Sequence, residues 1–404
     1  MSETKKKGYL TGKEIRAIAK ENAKQIKKLE AYKNRKAEEA EFLTEMKDDG
    51  NILEIDGLHT YFYTEQGVVK AVNGVSYDVP KNKVVGVVGE SGCGKSVTSM
   101  SVMRLIQGPS GQIVDGSIRF KAYDYKRDDK GFPIPKIDGT EGEYEMEEKI
   151  YDIAKMPISE IHRIRGKQVA MIFQEPMTSL NPVFTIGEQL DEVTFLHVPG
   201  ATKEMAKAKS EEMLRLVGII PENVYSRFPH ELSGGMRQRV MIAMALAAEP
   251  RLIIADEPTT ALDVTIQAQI LDLLQDIKKK IDGSILLITH DLGVIAEMAD
   301  YVVVMYAGKV IEKGTVFEIF QDPKHPYTIG LQKSKPTMTL DDSTELYNIP
   351  GNVPNPVDMP QHCYFKERCA KCTAKCSGEY PGMVQVSPTH FVACHLYDGE
   401  NENG

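Results

Sequence analysis

Short apolar runs rich in β-branched residues alternate with longer amphipathic stretches through most of the chain after residue 50. The apolar runs lie at residues 84–88, 169–173, 252–255, 285–288 and 301–305. The amphipathic stretches lie at residues 95–106, 201–217 and 265–281. Continuously apolar strands separated by helices are typical of a mostly parallel sheet that is covered on both faces. The pattern therefore predicts an α/β domain.

Three segments depart from this alternation and suggest the domain boundaries. Residues 1–50 are dominated by Lys, Glu and Ala, and predict a charged helical extension. The main domain is assigned to residues 51–325, with a polar stretch containing Gly and Pro at 121–157 that predicts a surface insertion. Residues 326–404 are richer in Pro, Gly and Cys, and predict a small irregular C-terminal module.

The N-terminal extension carries a narrow apolar stripe. It consists of Ile15, Ile18, Ile26 and Leu29. Such a stripe is wide enough to lie on a partner or on a membrane surface. The alternative is a solvated charged helix with no specific role.

Composition and charge exclude several classes of protein. The longest uninterrupted apolar stretch, at 240–248, is nine residues, whereas a membrane-spanning helix needs about 20. The N-terminal lysines are not followed by the apolar run of a signal peptide. The net charge of −9 argues against a general nucleic-acid binder, because phosphate contacts require clustered Lys and Arg. We therefore expect a cytoplasmic protein without nucleic-acid partners.

The sequence Gly-Glu-Ser-Gly-Cys-Gly-Lys-Ser at residues 89–96 stands between an apolar run and an amphipathic stretch. In this strand–loop–helix context, successive backbone N–H groups surround phosphate oxygens. Lys95 is expected to neutralise phosphate charge, and the Ser96 hydroxyl to bind Mg²⁺. Cys93 is interpreted as a small filler whose oxidation should block nucleotide binding. The predicted nucleotide contacts are Gly89, Ser91, Gly92, Cys93, Gly94, Lys95, Ser96 and Val97.

Polar residues at the ends of two other apolar runs supply further chemistry. Asp256 and Glu257 follow the run at 252–255, and acids at the carboxyl end of a parallel strand lie where nucleotide phosphates bind. Asp256 is expected to hold Mg²⁺, and Glu257 to polarise the attacking water. His290 follows the run at 285–288, which places it near the terminal phosphate.

A Leu-Ser-Gly-Gly sequence at residues 232–235 opens a predicted helix. Taken alone, Ser233 is explained as a helix cap with flexible glycines beside it. Together with the other motifs, Ser233, Gly234 and Gly235 form a second anion cradle built without a lysine. One chain with two half-sites for one ligand predicts two subunits arranged head to tail around nucleotide.

These motifs, in this order, resemble those of the ATP-binding cassette (ABC) ATPases over residues 53–330. The resemblance implies a P-loop ATPase with a RecA-like parallel sheet core, an antiparallel β subdomain and a helical subdomain that carries the signature at 232–238. The signature departs from the usual pattern, since Met236 and Arg237 displace the glutamine that normally follows the glycines. The ligands of such an ATPase would be ATP and Mg²⁺.

The same resemblance assigns roles to individual residues. It implies that Glu257, His290 and Gln174 form the catalytic group, with Gln174 also binding Mg²⁺ beside Ser96 and Asp256. Asp263 matches the D-loop, in the sequence Ala-Leu-Asp at 261–263. The aromatic residue that stacks on adenine is matched by Phe62, with Tyr61 and Tyr63 as close rivals.

A finer resemblance connects the chain with the ATP-binding subunits of oligopeptide and dipeptide importers. The matching sequences lie at residues 68–76, 173–182, 325–328 and 349–351. The resemblance implies an ATP-hydrolysing subunit, bound peripherally at the cytoplasmic face of the membrane, that powers peptide uptake. Its implied partners are two permease subunits, a second homologous ATPase subunit and an extracytoplasmic peptide-binding protein. The extension at 1–50 and the insertion at 121–157 are not typical of these subunits.

Five of the six cysteines lie between residues 363 and 394. In a reducing compartment, such a group points to a metal more than to disulfides. Four thiolates satisfy either Zn²⁺ or a [4Fe–4S] cluster, and the irregular spacing favours the cluster over zinc, with free or disulfide-bonded thiols as a third reading. The importer resemblance also implies a [4Fe–4S] cluster. By that resemblance the ligands are Cys363, Cys369, Cys376 and Cys394, and Cys372 is the spare.

Three alternative functions remain open at this point. A nickel or other small-solute importer would have a similar cassette. A soluble ABC ATPase that acts on nucleic acid or ribosomes would have a basic surface or tandem cassettes, whereas this chain has one cassette and an acidic body. In a third reading, the cysteine group serves iron–sulfur delivery or redox chemistry and the ATPase is secondary.

Overall fold

The computed structural model describes residues 10–126, 128, 132, 134–135, 144–175, 179–198, 200–260, 262–281, 283–334, 347–357 and 359–399. The helices are α1 (Gly12–Lys33), α2 (Lys95–Val102), α3 (Ile186–His197), α4 (Lys203–Leu216), α5 (Gly234–Leu246), α6 (Val264–Ile281), α7 (Leu292–Met298), α8 (Val316–Gln321) and α9 (Pro326–Lys333). The strands are β1 (Asn51–Thr64), β2 (Gly67–Pro80), β3 (Val84–Val88), β4 (Gly111–Tyr125), β5 (Met146–Asp152), β6 (Val169–Ile172), β7 (Leu252–Asp256), β8 (Ser284–Thr289), β9 (Tyr301–Tyr306), β10 (Lys309–Thr315), β11 (Val384–Gln385) and β12 (Phe391–Val392).

The larger sheet has the strand order β11-β12-β10-β9-β3-β8-β7-β6. Its strands β9, β3, β8, β7 and β6 run parallel, and β10, β12 and β11 continue it in antiparallel pairing. Strands β3, β7 and β8 are buried along their whole length, which is why the sequence shows them as continuous apolar runs. The predicted mostly parallel sheet is confirmed. Its carboxyl edge brings together the residues that follow β3, β7 and β8.

A second sheet forms the antiparallel β subdomain, in the order β2-β1-β4-β5. The two ends of the segment 121–157 belong to this subdomain, because β4 continues to Tyr125 and pairs with β5. Tyr151, Ile153 and Met156 are buried in its core. The prediction of a surface insertion is wrong for these ends, where alternate side chains pack inward although the stretch as a whole is polar. Most of residues 127–143 lies outside the described part of the chain.

Helix α1 packs beside β1 and β4 of the same chain. The buried Asn22 side chain donates a hydrogen bond of 2.9 Å to the carbonyl oxygen of Thr64. The Glu30 carboxylate accepts another from Gln112. The partly buried stripe of α1 therefore faces its own chain. The helix is neither fully solvated nor packed only on a partner or membrane surface.

The second half of the N-terminal extension is not helical, apart from one short 3-10 turn at Glu39–Glu41. Phe42 is buried against Tyr151, with ring centroids 5.8 Å apart. The Glu39 carboxylate accepts a hydrogen bond from the Tyr151 hydroxyl and pairs with Arg163. These contacts fix residues 34–50 on the β subdomain, and within the described part of this extension α1 is the only α-helix.

Helices α3, α4 and α5 pack against one another and form the helical subdomain. Capping side chains fix their starts: Thr185 accepts from the N–H of Glu188, Thr202 from that of Met205, and Ser233 from that of Met236. Such caps satisfy N–H groups that have no partner within the helix. The signature sequence therefore lies at the beginning of α5.

The C-terminal residues are continuous with the main domain in the described part of the chain. Strand β12 pairs with β10 of the larger sheet, and Phe365 packs against Tyr306 and Tyr327 with centroid distances of 5.3 and 5.5 Å. A separate small module was expected from residue 326, but the sheet and the aromatic packing join this segment to the core. Among the described residues, no helix combines the length and the apolar character needed to cross a membrane.

Candidate active site

The loop at residues 89–96 connects β3 with α2 and is shaped by glycine. Gly92 and Gly94 have φ angles of 77° and 100°, which lie in the left-handed region that favours glycine. A Cβ atom on Gly94 would overlap the carbonyl oxygen of Ala71, and one on Gly89 would overlap that of Met305. The glycines therefore let the loop pass close to neighbouring backbone.

Lys95 lies at the start of α2 and is buried. Its ammonium group donates hydrogen bonds to the carbonyl oxygens of Gly89, at 2.7 Å, and Glu90, at 3.2 Å. The lysine charge is thus held inside the loop, where it can neutralise phosphate oxygens. Cys93 is buried, and burial raises the pKa of its thiol, which fits its interpretation as a small filler.

Ser96 and Asp256 meet across the gap between α2 and the end of β7. The Ser96 hydroxyl donates a hydrogen bond of 2.9 Å to Oδ1 of Asp256. Burial, assisted by the charge of Glu257 and opposed by Ser96 and Lys95, raises the pKa of Asp256 to about 6. A hydroxyl next to a carboxylate is a ligand pair that suits Mg²⁺. Both residues line an open cleft together with Gln174.

Glu257 stands at the centre of a hydrogen-bonded group. Its Oε2 accepts hydrogen bonds from Nε2 of Gln174, at 2.9 Å, and from the hydroxyl of Thr260, at 2.8 Å. Its Oε1 lies 3.3 Å from Nδ1 of His290. The structure therefore brings the three predicted catalytic residues together, although Gln174 bonds to Glu257 rather than to the Ser96–Asp256 pair.

The backbone at Glu257 adopts a φ of 47°, which is uncommon outside glycine. Its N–H donates a hydrogen bond of 2.8 Å to the carbonyl oxygen of Ile288 on the neighbouring strand β8. Non-glycine residues in this region persist only where their surroundings hold them, and they are concentrated at functional sites. The turn after β7 thus directs the carboxylate toward Gln174 and His290.

The signature residues lie apart from this group within one chain. Ser233 and Gly234 are exposed at the start of α5, and a Cβ on Gly234 would meet nothing within 4 Å. A buried hydrogen bond of 2.7 Å from Gln238 of α5 to the carbonyl oxygen of Pro258 links this helix to the turn after β7. Ser233 and Gly234 are therefore open to a second molecule, whereas Gly235 is half-buried beside Ile266.

Asp263 caps the start of α6, because its Oδ1 accepts a hydrogen bond from the N–H of Ile266 at 2.9 Å. Ala261, which precedes it in the predicted D-loop, lies outside the described residues. Ser91 and Gly92 are exposed at the tip of the phosphate-binding loop, and Val97 packs beside the core.

The predicted adenine-stacking residue Phe62 lies on β1, opposite Val69 and Gly111. The hydroxyl of its rival Tyr61 donates a hydrogen bond of 3.0 Å to Oδ1 of Asn73. That hydroxyl also lies 2.9 Å from Nδ1 of His59. Tyr61 is thus engaged within the protein, which favours Phe62 over this rival.

Sequence comparisons identify close relatives. The family model described as "ABC transporter" matches residues 72–260, and that described as "Oligopeptide/dipeptide transporter, C-terminal region" matches residues 311–376. The oligopeptide transport ATP-binding protein AppD of Bacillus subtilis is 46% identical over 86% of this chain and 98% of its own length. OppD and DppD of the same organism, named for oligopeptide and dipeptide transport, are 48% and 45% identical over 85% and 87% of this chain, covering 88% and 96% of their own lengths.

The chain belongs to the ABC transporter ATP-binding proteins. Members of this family are ATPases coupled to transport, so the prediction of an ATP-hydrolysing enzyme is confirmed. The resemblance to the oligopeptide and dipeptide type is confirmed as well. Among solved structures, the dimeric ATP-binding cassette MJ0796 bound to ADP and Pi aligns with a TM-score of 0.52 at 22% identity, over 65% of this chain and 98% of that one. This likeness confirms the ABC ATPase fold.

The C-terminal cysteines of this ABC protein are all free thiols, and Cys372 is exposed. Burial, together with the smaller effect of the nearby Cys369 and Cys376, raises the pKa of Cys363 and Cys394 to about 11. These four thiols are therefore near one another. However, no set of three or more His, Cys, Asp or Glu side chains in the described residues is arranged to hold a metal ion. The donor chemistry suits a metal, but the structure does not show a metal site.

One contact to the phosphate-binding loop of the ABC site is not apparent from the sequence. The guanidinium group of Arg368 pairs with the carboxylate of Glu90, the second residue of the loop. The hydroxyl of Tyr327 also accepts a hydrogen bond of 2.8 Å from the N–H of Glu90. No spacing in the sequence indicates the ion pair, because its partners are 278 residues apart.

Proposed function

We propose that this chain is an ATP-hydrolysing subunit that powers the uptake of oligopeptides or dipeptides through partner permease subunits. The observation that carries the proposal is the convergence of Gln174, His290 and Thr260 on Glu257, beside the Ser96–Asp256 pair. The names of the relatives, which refer to oligopeptide and dipeptide transport, support the peptide substrate.

In the proposed mechanism, the loop N–H groups and Lys95 hold the phosphates of ATP, and Phe62 stacks on adenine. Ser96 and Asp256 would hold Mg²⁺, with Gln174 adjacent, and the ion would offset phosphate charge. Glu257 accepts a proton from the attacking water, oriented by its hydrogen bonds to Gln174 and Thr260. His290 lies beside the other carboxylate oxygen of Glu257, and in this position it can sense the terminal phosphate.

The exposed signature supports a two-subunit site. Ser233 and Gly235 of one subunit complete the ATP site of a second, homologous subunit, and Asp263 lies at the same junction. Gln174 contacts Glu257, so ATP binding at the site can move the segment around Gln174. This movement would be transmitted to the permease subunits. Closure and reopening of the pair would then drive transport, as a population shift powered by differential ATP affinity. In the proposed complex, this chain lies at the cytoplasmic face of the membrane and the peptide-binding protein lies on the extracytoplasmic side.

We further infer that Cys363, Cys369, Cys376 and Cys394 hold a [4Fe–4S] cluster, which their mutual proximity and partial burial support. Iron, sulfide and zinc per chain after anaerobic purification test this inference. About four irons with matching sulfide would support it, and Cys372→Ser should leave the iron content unchanged while Cys376→Ser lowers it. Zinc alone, or no metal, would contradict it.

Transport in vesicles tests the function. The chain is reconstituted with its permease subunits, the second ATPase subunit and the binding protein, and uptake of a labelled oligopeptide and a labelled dipeptide is compared with that of Ni²⁺. We expect ATP-dependent uptake of a peptide, which the Glu257→Gln variant abolishes while it still binds ATP. Uptake of Ni²⁺ but not of peptide would overturn the peptide assignment and leave the ATPase intact. Hydrolysis by Glu257→Gln at the wild-type rate would refute the role of Glu257.

A further inference from the structure

The side chain of Arg368 connects the C-terminal segment with the phosphate-binding loop. Its Nη1 lies 2.8 Å from Oε2 of Glu90, and its Nη2 lies 2.9 Å from Oε1. This is the parallel two-bond arrangement that makes arginine–carboxylate pairs both strong and specific in direction. The Arg368 side chain is 5% exposed and that of Glu90 27%, so water screens the pair less than it would on the surface.

The other donors of Arg368 are also occupied. Its Nε donates a hydrogen bond of 2.9 Å to the carbonyl oxygen of Pro350, and its Nη1 one of 3.3 Å to the hydroxyl of Tyr306. Tyr306 packs on Tyr327 and Phe365 beneath the loop, with centroid distances of 4.7 and 5.3 Å. These contacts therefore hold the guanidinium group in one orientation independently of its pair with Glu90.

Glu90 is in turn contacted at each of its polar groups. Its carboxylate pairs with Arg368, its N–H donates to Tyr327, and its carbonyl oxygen accepts from the ammonium group of Lys95. A carboxylate in a loop that binds phosphate is unfavourable unless its charge is neutralised, because like charges repel. Arg368 supplies that neutralisation and fixes the residue whose carbonyl oxygen orients Lys95.

The same C-terminal turn is also linked to strands β1 and β2. The hydroxyl of Tyr364 accepts a hydrogen bond of 3.0 Å from the side-chain amide of Asn73, and Oδ1 of Asn73 accepts one from Tyr61. Tyr61 precedes Phe62, the proposed adenine-stacking residue. Tyr364, four residues before Arg368, is thus linked through Asn73 to Tyr61, the neighbour of Phe62 in the sequence.

We infer that Arg368 is a positioning residue for the phosphate-binding loop. Through Arg368, the C-terminal turn between Cys363 and Cys369 sets the affinity of the loop for ATP. The inference rests on ATP binding by the cassette and not on the transported substrate. Because coupling between two sites is reciprocal, ATP binding should also stabilise the turn.

The test compares three variants of the full-length chain, purified anaerobically as for the metal analysis. Arg368→Gln leaves the Glu90 charge unpaired beside the phosphates, Glu90→Gln removes that charge, and the double variant removes both. We expect Arg368→Gln to raise the Kd for Mg-ATP about tenfold, as for the loss of a charge-assisted contact, with kcat changed less than twofold. The double variant should recover most of the affinity. Arg215→Gln, which removes an exposed arginine of α4 with ion pairs to Glu211 and Glu222, is the matched control and should behave like the wild type.

Hydrogen exchange of residues 363–369, with and without Mg-ATP, provides a readout that a merely structural role would not move. ATP should slow exchange there in the wild type and in Arg215→Gln, but not in the double variant. If Arg368→Gln does not fold, Glu90→Gln alone still decides the question, since it should also abolish the ATP effect on exchange. An unchanged Kd in a folded Arg368→Gln variant, no recovery of affinity in the double variant, or an ATP effect that survives in Glu90→Gln would each overturn the inference. A failure of peptide transport would not affect these measurements.

Discussion

Gln174 and Glu257 are joined by a hydrogen bond of 2.9 Å between Nε2 of the amide and Oε2 of the carboxylate. Gln174 comes from the segment after β6, and Glu257 from the turn after β7, so the bond crosses between two adjacent parallel strands. A residue on one segment thus helps to orient the proposed general base on the next. The bond offers a direct connection between the segment around Gln174 and the hydrolysis step.

Removing either hydrogen bond to Oε2 of Glu257 should slow ATP hydrolysis. Gln174→Ala and Thr260→Val each delete one donor, and we expect kcat to fall about tenfold in each, as for the loss of about 1 to 1.5 kcal/mol of orientation. The KM for ATP should change less than threefold, because neither residue belongs to the phosphate-binding loop. Steady-state ATPase assays measure both parameters. A wild-type kcat in both variants would refute the orienting role.

The two inner glycines of the phosphate-binding loop should differ in their tolerance of alanine. Gly94→Ala places a Cβ against the carbonyl oxygen of Ala71, so the loop must shift and we expect ATP affinity to fall by about a hundredfold or more. Gly92→Ala meets open space and suffers only the strain of its positive φ, about 1 to 2 kcal/mol. Titration with a fluorescent ATP analogue compares them. Equal losses in the two variants would contradict the steric explanation.

The free energy of unfolding should depend on His325 at mildly acidic pH. This histidine is fully buried at the start of α9, where its Nδ1 accepts a hydrogen bond from the N–H of Tyr327. Burial lowers its pKa to about 4, against the opposing effect of Glu312. Because the unfolded chain binds this proton near pH 6.5 and the folded chain does not, stability is lost as the pH falls from 6.5 toward 4, by up to about 3 kcal/mol.

Denaturant unfolding of the wild type and of His325→Asn, each at pH 7 and pH 5, measures this contribution. Asparagine retains an acceptor for the Tyr327 N–H but does not titrate, so the variant should lose less stability between the two pH values. An equal loss in both proteins would show that other groups cause the pH dependence. His325, in the sequence at 325–328 that resembles the importer subunits, would then not contribute to the acid sensitivity of the protein.

The contact between α1 and the β subdomain should contribute measurably to stability. Asn22→Ala removes the buried hydrogen bond to the carbonyl oxygen of Thr64, and we expect a loss of about 1 to 2 kcal/mol. Gln25→Ala removes an exposed hydrogen bond to Glu21 on the same helix and should cost less than about 0.5 kcal/mol. Urea unfolding compares the two variants. A wild-type stability in Asn22→Ala would mean that α1 is only loosely attached.

The sequence by itself determined the parallel sheet and the position of the predicted site residues at its carboxyl edge. Strands such as β3, β7 and β8 are buried on both faces, so their apolar runs are visible without any knowledge of the tertiary structure. The reactive residues follow those strands directly, and parallel strands bring their carboxyl ends to one edge. The location of Lys95, Asp256 and Glu257 at this edge could therefore be predicted from local sequence alone.

Only the tertiary structure decided what surrounds that site. The polar ends of the segment 121–157 pack inward as strands, and the stripe of α1 covers its own β subdomain, because antiparallel pairing and helix docking select among faces that the local pattern leaves open. The same holds for Arg368 and Glu90, which lie 278 residues apart and meet through the packing of Tyr306, Tyr327 and Phe365. Contacts of this kind depend on how distant segments fit together, and no local spacing encodes them.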